Sequence, residues 1–269
     1  MPLSHRAVGL VLQYRIQLIR CEPRTHFRVA GSYCTGDGML HDPDQHATFH
    51  IAPWTDHEWA GFRNNFVNVI CRHWDNKFEL VPNRAWYSED GSSAPTDAAV
   101  QCHLSIELVN TAAAAHHRYY IVKPVETTLR SFADATGRVA LLTHRDLGSD
   151  WSAWQARVGR ERRSVSFAQS TALHEFGHTL GLWHVNGRGN NDAAYGVTLE
   201  ELTDLMGVGD HLTARHASPW SSQLRRHHLI VGHNQQDAAL RFTARVTAPQ
   251  LVTYWDNDWR PPAGARRAE

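Results

Sequence analysis

Residues 171–184 read TALHEFGHTLGLWH, and this stretch decides both the expected fold and the expected chemistry. It sets His174, Glu175, His178, Gly181 and His184 at five fixed offsets in a chain that holds 19 His among 269 residues. At the chain's own residue frequencies such a set arises by accident in roughly one sequence of several thousand. Positions four apart lie about 40° from each other around a helix and about 6 Å along it, so His174 and His178 can aim at one atom. Glu175 stands on the adjoining flank, placed to reach a water on that atom rather than the atom itself. Gly181 supplies the left-handed residue that ends a helix and lets the chain return with His184. Three imidazoles with a fourth position open are the donor set of one catalytic Zn2+ ion.

Working outward, the periodicity predicts an α+β chain. Residues 8–19 alternate Leu10, Leu12, Tyr14, Ile16 and Leu18 with polar partners, and 26–33 and 47–52 are further short strands. From Asp56 the period changes: Trp59, Phe62, Phe66, Val67, Ile70, Cys71 and Trp74 fall at helical spacing behind a capping box, TDHE at 55–58. A loop, SEDGSSAPTD, follows at 88–97, and then VQCHLSIEL at 100–108 alternates strictly. YYIVK (119–123) and VALLTH (139–144) complete a central sheet. RERR at 160–163 reads as a solvated loop, and Ser166 with Gln169 reads as the capping box that opens the histidine helix. VNGRGNNDAAYG at 185–196 is a loop, Ser218 is an N-cap with Pro219 in the first turn, and LRFTARVTA is a last strand.

Composition narrows the partners. At 30.4 kDa and a formal net charge of +0, the chain offers no bulk charge for nucleic acid or an anionic membrane. No apolar stretch is long enough to span a membrane, and the start, with Gln13, Arg15 and Gln17 interrupting its apolar run, reads as a strand rather than a Sec-type signal. Cys21, Cys34, Cys71 and Cys102 lack any CxxC spacing and read as free buried thiols, Cys21 as a strand-end residue rather than a zymogen thiolate. His116–His117 and His227–His228 read as surface pairs, and the loop residues Tyr195 and His211 as ordinary loop polars.

HEFGHTLGLWH resembles the zinc signature of the metzincin metallopeptidases, and TDLMGVG at 203–209 resembles their methionine turn, with Met206 as its methionine. The order of elements is similar too, and LMGVGDHLTARHASPW resembles bacterial members. Val185 and Val208 depart from the branches with familiar residues at those places, and no calcium-binding repeats occur. The resemblance implies a twisted mixed sheet with a long backing helix and an active-site helix. It also implies a lower subdomain with the methionine turn and a C-terminal helix. The expected layout is therefore a β-rich N-terminal extension at 1–55 on a catalytic domain at 56–269, split into 56–181 and 182–269. His174, His178 and His184 would hold zinc, with Met206 and Gly181 in support. Glu175 would act as general base and then general acid on a zinc-activated water attacking a peptide bond. The substrate, a protein or peptide, would lie along an edge strand, VALLTH or YYIVK, with 207–217 walling the pocket. A bacterial effector delivered by a non-Sec apparatus, or a protease held by an inhibitor, fits these expectations. The competing readings are a zinc hydrolase of a non-protein amide or ester, and a non-catalytic zinc-stabilised binding protein.

Overall fold

The computed structural model describes residues 8–83, 99–187, 189–231, 240–247, 250 and 252–258, the side chains of 228–231 excepted. The loop expected at 88–97, the His228 side chain and residues 259–269 lie outside that set.

The chain opens with a long strand, β1 (Val8–Arg20), followed by four short ones: β2 (His26–Val29), β3 (Ser32–Thr35), β4 (Met39–Asp42) and β5 (Ala47–His50). The run expected as one strand at 26–33 is two, because Ala30 takes φ 48° and turns the chain back with Gly31. Next come α1 (Asp56–Trp74), β6 (Phe78–Pro82), β7 (Val100–Leu108), β8 (His117–Val122), β9 (Phe132–Asp134) and β10 (Val139–Thr143). A hairpin of β11 (Asp150–Val158) and β12 (Glu161–Gln169) leads into α2 (Thr171–Thr179), then α3 (Asp192–Tyr195) and α4 (Leu199–Thr203). A 3-10 turn at Ala214–Ala217 runs into α5 (Ser218–Val231), and β13 (Phe242–Val246) and β14 (Tyr254–Asp256) follow.

These elements make a mixed α/β structure with three sheets. The large sheet has the order β13-β6-β7-β1-β8-β10-β9. β1 runs parallel to both β7 and β8, and β10 is parallel to β8, while the edge strand β9 is antiparallel to β10. The expected extension at 1–55 is thereby corrected, since residues 8–20 lie in the middle of the sheet. Only the small sheet β2-β3-β4-β5 is a peripheral layer. The division at residue 181 is likewise crossed, because β13 pairs with β6.

Two cores flank the large sheet. On one face Phe62, Phe66, Ile70 and Trp74 of α1 and Ala172 and Phe176 of α2 bury against Cys102, Tyr119, Ile121 and Leu142. On the other, Val29, Cys34, Leu40 and Phe49 of the small sheet cover Tyr120, Val122, Val139 and Leu141. β8 and β10 are therefore buried on both faces, as their continuous apolar runs require. The α1 capping box is present as expected: Glu58 N–H donates to Thr55 Oγ1 (3.2 Å), and Thr55 N–H to Glu58 Oε2 (2.8 Å). Thr55→Ala is expected to cost about 1 kcal/mol in a urea titration, with no change in the slope of the transition.

The second expected capping box is absent. Residues 161–169 form β12, so RERR is strand and turn rather than loop, and α2 starts behind Ser170, whose hydroxyl donates to Asp146 O (2.9 Å). Ser218 is helical itself rather than an N-cap, because the 3-10 turn already leads into α5. Among the described residues no helix is long and apolar enough to cross a membrane.

Candidate metal centre and cleft

The helix α2 is nine residues long and ends in a glycine turn. Gly181, at φ +88°, lets Leu182 N–H reach Gly177 O (3.1 Å) while Gly181 N–H reaches His178 O (2.8 Å), the paired bonds of a Schellman motif. That turn does two jobs. It sends the chain back toward His184, and it presents Leu182 O to His178 Nδ1 at 2.8 Å. His174 Nδ1 faces Leu205 O at 2.8 Å, and His184 Nδ1 faces Gly189 O at 2.6 Å.

A carbonyl oxygen only accepts, so each Nδ1 must carry the proton and each neutral ring turns a lone pair out at Nε2. The three groups converge. Their ligand atoms all lie within 4.8 Å of one another. His184 Nε2 is 3.3 Å from His174 Nε2 and 3.1 Å from His178 Nε2. Three lone pairs at such distances repel unless a cation sits between them. Nitrogens about 2.05 Å from a tetrahedral zinc stand about 3.3 Å apart, so the donor set fits that ion. Burial holds all three imidazoles neutral, pushing His174 well below its ordinary value, His178 to about 4 and His184 downward. Neutral rings are the form a metal needs.

The turn at 203–209 supports the centre from below. Met206 is fully buried, and a Cβ on Gly177 would run into its Sδ, so glycine at 177 is what lets the thioether pack directly under α2. Gln169 Nε2 reaches Leu205 O (3.0 Å), Gly207 O (3.2 Å) and Gly209 O (2.9 Å), tying the turn to the end of β12. Asp204 anchors the same turn through Met206 N–H (2.8 Å) and Arg215 (2.6 Å from Nη2).

Glu175 is buried, only 7 % exposed, and lines a cavity of about 380 Å3 together with His178 and His184. Burial and the Asp146 charge push its carboxyl up to about 8, against the opposing pull of Arg130 and of the Ala133 amide. A dication at the imidazoles would act in the same direction as Arg130. The other walls differ from expectation. Residues 207–217 do not line the cavity; Ala30–Ser32, Asp42, Asp44, Gln45, Arg130–Ala133, Asn190 and Tyr195 do. Among the described residues the sheet edge beside the cleft is β9, because both β8 and β10 are interior strands.

Other candidates lie elsewhere. Cys21 sits in the core beneath the small sheet, where burial raises its thiol, so it caps nothing. All four cysteines are free. His117 Nδ1 meets Tyr14 OH at 2.6 Å, and His116 packs by Arg15. His211 bonds through its backbone to Thr203 and is not a cavity residue. Tyr195, by contrast, is a cavity residue, and its ring lies 4.0 Å from that of His184, centroid to centroid. Arg130 and Ala133 carry no sequence signal and Gln169 carries only the capping-box spacing, since the site roles of Arg130 and Gln169 come from contacts with residues 65 and 36 positions away. Comparison with protein-family models, curated proteins and solved structures gives no match to the chain.

Proposed function

We propose that the protein is a metzincin-like zinc endopeptidase. The observation that carries this reading is the convergence of three Nε2 lone pairs within 4.8 Å, two of the pairs at 3.1 and 3.3 Å, each ring fixed by a carbonyl at its Nδ1. A non-catalytic metal site needs no acid beside it, whereas Glu175 is buried and lines the same cavity as His178 and His184. Further support comes from Met206 beneath α2 and from the element order of strand, long helix, strands, helix, methionine turn and helix.

His174, His178 and His184 would hold the metal, which when bound would supply a Lewis acid for the carbonyl oxygen and a more acidic water. The chain does the rest. Glu175 takes a proton from the attacking water and passes it to the departing nitrogen. The antiparallel strand β9 offers backbone groups on its outer side to an extended peptide, which adds to the sheet as one more strand. Residues 30–32, Asp42, Asp44 and Gln45 from the small-sheet turns line the same cleft.

The test is paired. Elemental mass spectrometry of the purified protein is expected to find about one zinc per chain. A random peptide library is expected to be cut by that protein, with cutting lost to a chelator and restored by zinc. Zinc with no cutting would overturn the peptidase reading, and no metal would overturn the centre itself.

A further inference from the structure

Hydrolysis places negative charge on the scissile carbonyl oxygen, and Glu175, itself anionic when it serves as base, cannot stabilise it. Two side chains, one from the loop before β9 and one from the end of α3, meet at the cavity wall as hydrogen-bond donors. Arg130 Nη2 donates to Tyr195 OH at 2.8 Å, and both residues line the cavity with Glu175, His178 and His184. The Tyr195 ring lies 4.0 Å from the His184 ring and stacks within 20° of the His174 ring at 5.8 Å. The phenol is thus held against two of the three imidazoles.

Each partner is fixed from behind. Arg130 N–H donates to Gln45 Oε1 (2.8 Å), and Gln45 Nε2 donates to Thr128 O (2.9 Å), which clamps this arm to the small sheet. Tyr195 closes α3, whose N-cap Asn191 takes the Ala194 amide at 3.0 Å, and its ring packs on Trp154 at 5.8 Å. A guanidinium donating into a phenol oxygen polarises the O–H bond and makes it a stronger donor. Among the described residues no acceptor takes that hydrogen.

We infer that Tyr195, positioned by Arg130, donates a hydrogen bond to the substrate carbonyl oxygen as it becomes an oxyanion. The inference rests on the hydrolase reading above and extends it to a second set of residues. In the step, the water oxygen forms a bond to the carbonyl carbon and the C–N bond breaks. The water proton travels through Glu175 to the leaving nitrogen, and Tyr195 keeps its own proton throughout. A preorganised donor aimed at a developing charge is the arrangement that lowers a barrier without tightening the ground state.

The test uses the zinc-loaded full chain and Tyr195→Phe, which keeps the ring on His184 and loses only the hydroxyl. A benzyloxycarbonyl-capped phosphinic tripeptide serves as a tetrahedral anion, and the corresponding uncleaved planar tripeptide as its control, both by calorimetry. The variant is expected to bind the phosphinate at least about tenfold more weakly, with planar-peptide binding and zinc content unchanged. Arg130→Gln should weaken the phosphinate in the same sense, and Arg130→Lys should recover part of the loss. On a peptide the wild type cuts, Tyr195→Phe should lower kcat by about 100-fold and leave KM nearly as it was. Equal phosphinate affinity in wild type and Tyr195→Phe, equal loss for both probes, or a rise in KM alone would overturn the inference. So would failure of the wild type to bind the phosphinate. Phosphinate discrimination without any peptide cleavage would instead sink the peptidase reading while leaving the oxyanion site standing.

Discussion

Glu175→Gln is expected to keep its zinc and to lose peptide cleavage by about 10³-fold, the scale of a missing general base. Glutamine has the size and the acceptor oxygen to sit beside the Ala133 amide, yet it cannot take a proton. The three imidazoles owe their orientation to Leu205, Leu182 and Gly189 carbonyls, none of which touches residue 175, so metal affinity should not move. Nor should the fold weaken: the native carboxyl is buried and disfavours its charge there, so a neutral amide of the same shape is expected to match or exceed wild type in Tm. Elemental mass spectrometry, calorimetry and peptide cleavage read the three parts separately. A variant that cuts within tenfold of wild type would remove Glu175 from the reaction.

Asp204→Ala should have the largest effect on stability, about 3 kcal/mol by urea titration. The carboxylate is 5 % exposed and gathers Met206 N–H (2.8 Å), Arg215 Nη2 (2.6 Å) and Nε (3.0 Å), and Thr213 Oγ1 (3.2 Å). His216 Nε2 also stands 3.1 Å away, at ion-pair distance though not aligned as a hydrogen bond. Alanine leaves these donors without their acceptor. Burial raises the Asp204 pKa, but the neighbouring His216 and Arg215 outweigh it and hold the group well below the usual carboxylate range. A depressed folded value means stability that is present above the unfolded pKa of about 3.9 and is lost as pH falls through the folded one. Asp204→Asn, which keeps the shape, should therefore differ from wild type at pH 7 and converge on it in acid. A difference that stays flat from neutral pH into strong acid would refute the charge as the cause.

Some of this was legible in the sequence for physical reasons. The offsets of His174, His178 and His184 fix a face and a turn within 14 residues, and the box at Thr55 and Glu58 is equally local. β7 reads clearly because its alternation reports one buried and one wetter face. The hairpin β11–β12 was missed because β11 is exposed along most of its length, so no apolar period marks it. Ser166 and Gln169 carry capping-box spacing inside a strand, and Gln169 spends its amide on the carbonyls of the methionine turn instead. Arg130 and Tyr195 meet across 65 residues, which no local pattern encodes. The centrality of β1 is invisible for the same reason: its strand signal is local, but its partners are not.

That central strand sets a burden on synthesis. Residues 8–20 leave the ribosome ahead of both their partners, β7, which ends at Leu108, and β8, which ends at Val122. At ordinary elongation rates of about 5 to 20 residues per second, an unpaired strand with Leu10, Leu12, Ile16 and Leu18 waits about 5 to 20 s for its neighbours. Both of its edges are open meanwhile, a template for another nascent copy. Chaperone dependence and inclusion-body formation are the expected consequences of where β1 sits, and slowing translation before residue 122 is expected to worsen them.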